Sequence, residues 1–251
     1  MRIAALVFSL VTAFASGARA DCTSPHPELS PQICAPAVAS ETELCAWAVR
    51  HADAGAAEHC ALERRSRELG VLELRADATR FLWLIALDEG LRPVALLGEV
   101  ADPGLPHSFG RIELVRRLES ERSGRQVLTF ETESAVHDED AERGTRQGVL
   151  ERHLTVCVRS PTEPLACELR VPLAYEASAT GDPEPTRAEA IAVVRHDGRL
   201  RLTLRDGDWR VLFGFGGLFG DRLSVTLPLR AADAAREELD PDTLLVQLAS
   251  R

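Results

Sequence analysis

The sequence predicts a mainly β protein, an antiparallel β-sandwich or open barrel preceded by a short disulfide-bridged helical hairpin. Three observations carry that expectation. From Val71 almost to the end, apolar residues recur at every second position, the period of a strand with one face inward. Short clusters of Gly, Asp and Pro break this pattern into hairpin-sized pieces. Before it, residues 41–70 show a helical period, with Cys45 and Cys60 placed symmetrically about a break near residues 52–53.

Residues 1–20 have the three parts of a cleavable signal peptide. Arg2 is the positive start, Ile3 to Ala15 the apolar core, and Ala18 and Ala20 the small residues before a cut at Asp21. The apolar run falls short of the roughly 20 residues a bilayer-spanning helix needs. Its removal deletes two arginines and no acids, taking the formal charge from −10 to −12. An acidic surface repels phosphate backbones and anionic headgroups, which argues against nucleic-acid partners. The mature chain has no transmembrane segment. All 29 basic residues are arginine, which codon usage explains without any function.

Residues 21–40 contain Pro25, Pro27, Pro31 and Pro36 and read as an extended arm. Ser40 with Glu43 forms a capping box, and Leu44, Trp47, Ala48 and His51 follow at helical spacing. A second helix is expected over 57–69, with Gly70 ending it. In one continuous helix Cys45 and Cys60 would lie roughly 22 Å apart, so a bridge requires a hairpin. The pairs Cys45–Cys60 and Cys157–Cys167 can be argued locally, leaving Cys22–Cys34 to close the arm.

The β domain covers 71–251. Phe81 to Leu87 is apolar on both faces, as a central strand should be. A three-residue turn at Arg122-Ser123-Gly124 would pair Leu118 with Leu128 and Arg116 with Phe130. Asp197-Gly198, as a two-residue turn, would set Val193 opposite Leu202 and Ile191 opposite Leu204. A cross-strand Cys157–Cys167 bridge puts Val156 out of phase with Leu169, a conflict that a bulge resolves. Residues 176–187 are either an internal linker or a long loop within one sheet system. Trp209, Val211, Phe213 and Phe215 read as a strand, and so do Leu223 to Leu229. Ala231 to Leu239 suggests a short helix and Leu244 to Ala249 a last strand.

No catalytic motif is present in the linear sequence: there is no G-x-S-x-G, H-E-x-x-H or S-x-x-K set. The acidic run His137 to Glu142 echoes a calcium loop but lacks its glycine and final glutamate in place, and reads as a solvated loop. No metal or other cofactor is expected. The segment 213–220 carries four glycines with Phe215, Leu218 and Phe219, and is the candidate contact surface for a protein or small-molecule ligand. The expected role is that of a periplasmic or secreted, non-enzymatic binding or envelope-structural domain. A hydrolase with a dispersed site is the first alternative, and would need His153 or His196 beside a carboxylate and a serine. An outer-membrane-associated β protein is the second.

Overall fold

The computed structural model describes residues 40–228, apart from positions 89, 91, 106, 123, 141–143, 160, 163–164, 182–183, 195–198 and 214–221. The expected signal peptide, the proline-rich arm with Cys22 and Cys34, and the C-terminal helix and strand therefore lie outside the described residues. So do Asp197-Gly198 and most of the glycine-rich segment.

Helix α1 spans Glu41–His51 and begins as its sequence demands, with the Ser40 hydroxyl accepting from the Glu43 amide at 3.2 Å. Four strands follow: β1 Ala57–Arg64, β2 Leu69–Ala76, β3 Thr79–Leu87 and β4 Pro93–Asp102. Then come β5 Phe109–Arg122, β6 Arg125–Asp140, β7 Thr145–Arg159 and β8 Ala166–Ala179. The described chain closes with β9 Thr186–Val194, β10 Arg199–Asp206, the single-turn helix α2 Trp209–Phe213, and β11 Ser224–Pro228. Every strand pairs antiparallel with its neighbour in sequence, except that β4 and β5 do not pair. The result is a four-stranded and a seven-stranded sheet, with no closed barrel among the described strands.

Three cores follow from this layout. Leu44 and Ala48 of α1 cover Leu72, Leu74, Trp83 and Ile85 on one face of the small sheet. Its other face, Leu84, Ala86, Ala95 and Leu97, meets Leu128 and Phe130 of the large sheet. The strand β3 is thus buried on both sides, as its doubly apolar sequence predicts. Farther along the large sheet, Trp209 and Leu212 of α2 pack on Leu169, Val171, Ala188, Ala190, Leu200 and Leu202.

Several expectations are corrected. Residues 57–64 form a strand, not a second helix, because β2 offers them a backbone ladder from Arg64–Gly70 to His59–Arg75. Helix propensity differences of a few tenths of a kcal/mol cannot compete with such pairing. The Cys45–Cys60 bridge exists, but it ties a helix to an edge strand, with the Cα atoms 5.9 Å apart. The run His137 to Asp140 is the end of β6 and not a loop; it pairs with Thr145 to Gly148. Trp209 to Phe213 is helical because the Asp208 carboxylate accepts from the Arg210 amide at 2.8 Å, a cap the alternation concealed.

Both hairpin registers differ by one residue from expectation. Arg122 pairs with Arg125 across a two-residue turn, so Leu118 faces Thr129 and Arg117 faces Phe130. A bulge between Leu114 and Arg116 absorbs the difference, returning Ile112 and Leu114 to the inner face while Leu118 points to solvent. In the β9–β10 pair, Leu202 faces Ala192 and Thr203 faces Ile191. The row of alanines lies inward because α2 fills the space above it; Val193 is left 53% exposed. The bulge expected beside Cys157 is present, and Val156 pairs with Leu169 next to the Cys157–Cys167 bridge. Residues 176–187 end one strand and begin the next, with Ala177 opposite Thr186, so the segment closes a hairpin of the large sheet.

One turn carries avoidable strain. Asp77 and Ala78 join β2 to β3 with φ values of 52° and 62°, left-handed conformations for both. Ala78→Gly should stabilise the protein by roughly 0.5–1 kcal/mol, since relief of left-handed strain outweighs glycine's extra backbone entropy. Denaturant titration reads the gain; a loss instead would mean that the Ala78 methyl group itself packs.

Candidate functional site

The two sheets meet along a seam where β4 crosses β5, β6, β7 and β8 and β3 meets β5, and a cluster of polar side chains lies there. Alternation decides which ones. On the inner face of β7, Cys157, Thr155, His153 and Glu151 follow one another at period two. The antiparallel ladders set Phe130, Thr132 and Ser134 of β6 opposite Thr155, His153 and Glu151. On the other side Arg170 stands opposite Thr155, and Pro172 opposite His153. The Thr132 hydroxyl donates to the Leu97 carbonyl of β4 at 3.1 Å, joining the sheets at this level.

The electrostatics of the seam are set by desolvation. Burial pulls the Arg170 guanidinium below its usual range, while the charges of Glu99 on β4 and Glu151 on β7 oppose that shift. His153 is pushed down to about 3, first by burial and then by the positive charge of Arg170. Its imidazole is neutral at any pH near 7. Glu99 extends the cluster toward α1, for its Oε2 atom lies 3.0 Å from His51 Nε2 and accepts from Trp83 Nε1 at 3.1 Å. The His51 ring stacks on Trp47 at 4.7 Å, and Trp83 stacks on Phe81 at 5.8 Å.

A general base works best with a pKa near the operating pH. Burial and the nearby Arg170 guanidinium hold His153 far below that. Ser134, Glu151 and His153 do share one sheet face, as the hydrolase reading requires, but among the described residues no hydrogen bond joins them. Comparison with protein-family models, with curated proteins and with solved structures gives no match.

A second polar group closes the other end of the seam. Glu68, in the turn between β1 and β2, is 8% exposed. Its carboxylate meets Arg117 of β5 at 3.0 Å and Arg159 of β7 at 3.5 Å. Arg117 also contacts Glu119, and its guanidinium lies 5.8 Å from the Phe130 ring centre.

The sequence-predicted contact residues Phe215, Leu218 and Phe219 lie outside the described residues, as does His196. Phe213, at the end of α2, packs beside Trp209 with ring centres 6.0 Å apart and against the large-sheet core. Among the described residues no group of three His, Cys, Asp or Glu side chains could hold a metal ion. Reading the sequence alone missed Arg170 and Glu68. For Arg170 a signal existed: in Leu169-Arg170-Val171-Pro172-Leu173 the arginine sits alone on one face of a strand whose other face is apolar. For Glu68 there was none, because its partners are far away in sequence.

Proposed function

We propose that this chain is an exported, non-enzymatic β domain, a sandwich-type body that binds a protein or small molecule or supports the cell envelope. The observation that carries the reading is His153, whose neighbour is Arg170 rather than a carboxylate. An imidazole whose proton affinity is lowered this far by burial and a nearby cation is a poor base toward a serine hydroxyl. Two disulfides fit an oxidising compartment, and no described helix is long and apolar enough to cross a membrane. Ligand contact is assigned to Phe215, Leu218 and Phe219, between α2 and β11.

The test is the double substitution Leu218→Ser with Phe219→Ser in the mature, oxidised protein. A contact role predicts a denaturant midpoint within about 0.5 kcal/mol of the parent, as for surface changes generally. A loss of several kcal/mol would return both residues to the core. Turnover of a chromogenic ester or glycoside that disappears in His153→Gln would replace the binding reading with the hydrolase.

A further inference from the structure

We propose that the seam between the two sheets opens reversibly in acid, with protonation of His153 as the trigger. The geometry places this imidazole where an added charge does the most damage. His153 stands opposite Thr132, the residue that bonds β4 to β6 through the Leu97 carbonyl. One step along the same face Thr155 is fully buried, and its hydroxyl has no hydrogen-bond partner. Across from Thr155 is Arg170, whose charge already acts on His153.

Each neighbouring element contributes a defined charge. β8 supplies Arg170, β7 supplies Glu151, and β4 supplies Glu99, which is shared with His51 of α1 and Trp83 of β3. β6 supplies only the uncharged Thr132 and Ser134. The charges of Glu99 and Glu151 act on Arg170, and Glu99 is also bonded to His51 and Trp83. A proton on His153 therefore adds a second cation to a cluster in which no described carboxylate is bonded to it. The least disruptive relief is to admit water by separating β4 from β5, β6, β7 and β8. Within each sheet, continuous backbone ladders resist separation. Across the seam, the bonds to be broken are side-chain contacts and the Thr132–Leu97 hydrogen bond.

The sign follows from the lowered proton affinity. Stability from the neutral imidazole is complete above the unfolded value, near 6.5, and is lost as pH falls toward the folded value of about 3. Over that window the closed-to-open ratio should fall by about tenfold per pH unit.

Hydroxyl-radical labelling of side chains on the whole oxidised protein, normalised for dose at each pH, tests this, because opening the seam bares side chains and leaves the ladders paired. Labelling of Leu97, Leu128 and Phe130, buried at the seam, should rise by about tenfold per unit below pH ~6. Leu200 and Leu202, buried on the other face of the large sheet, should stay protected, and His153→Gln should flatten the pH dependence at the seam. Unchanged labelling at the seam down to pH 4.5, or an equal rise in His153→Gln, would overturn the proposal. If that variant does not fold, the imidazole Cε1–H resonance of the parent decides. It should report no proton until the seam opens, whereas titration near the ordinary value of about 6.5 with the seam shut would refute the mechanism.

Discussion

Gly207→Ala is expected to cost more than about 3 kcal/mol, among the largest losses available to a single methyl group in this fold. Gly207 joins β10 to α2 with φ at +75°, where an L side chain is strained in any surroundings. The surroundings are also closed. A Cβ there would collide with the Arg187 carbonyl oxygen and lie 2.7 Å from the Ala188 Cα, both backbone atoms of β9. Neither can move without disturbing the β8–β9 ladder, where Arg187 pairs with Glu176 and Ala188 with Tyr175, and the core in which Ala188 lies with Trp209. The internal control is Gly181→Ala. Its φ is +92°, but nothing lies within 4 Å of the added carbon, so only backbone strain of roughly 1 kcal/mol should appear. Urea midpoints of the two variants separate clash from strain. Equal losses would show that the close approach at Gly207 relaxes freely.

Glu68→Gln should cost about 2 kcal/mol, because it takes the shared anion from two largely buried guanidinium groups. Of these, Arg117 keeps Glu119, whereas Arg159 keeps no other carboxylate among the described residues. The side chains of Arg117 and Arg159 are 24% and 19% exposed, too enclosed for water to replace the carboxylate fully. The contacts of Arg117 with Glu119 and with the Phe130 ring persist in the variant, so most of the loss falls on Arg159. Charge is the point of the substitution, since glutamine keeps the shape and part of the hydrogen bonding. The triple change Glu68→Met, Arg117→Leu, Arg159→Leu should recover most of the loss, as replacement of whole buried ion clusters generally does. A Glu68→Gln protein as stable as the parent in thermal and denaturant unfolding would mean that the seam is held by its apolar contacts alone.

The two predictions depend on residues that differ in how visible they are. Gly207 stands in Asp206-Gly207-Asp208, a turn legible from its composition, and the structure keeps it: the Gly207 amide bonds the Asp206 carboxylate at 3.0 Å. What could not be read was the backbone it touches, since β9 arrives from another hairpin. Glu68 stands in a charged stretch between two strands that looks like any solvated turn. Only the stacking of the small sheet on the large one converts it into a buried carboxylate.

The same division runs through the whole molecule. Local information was enough for several elements. Ser40 and Glu43 start α1, the doubly apolar run of Phe81 to Leu87 makes a central strand, and the Cys157–Cys167 bridge demands its bulge. These rest on hydrogen-bonding groups or periodicities within about ten residues. Tertiary structure decided what depends on a distant partner. Residues 57–64 had helical spacing but became β1 because β2 left a free edge beside them. Both hairpins slipped by one residue because burial, not turn preference, selects which of two apolar rows faces inward. In β9 those rows were Ala188, Ala190 and Ala192 against Ile191 and Val193, and the smaller row won because Trp209 and Leu212 needed the room. The nearness of His153 to Arg170 has the same origin: alternation places each side chain on a face, but only the sheet packed above that face partly shields both from water and lowers the proton affinity of each.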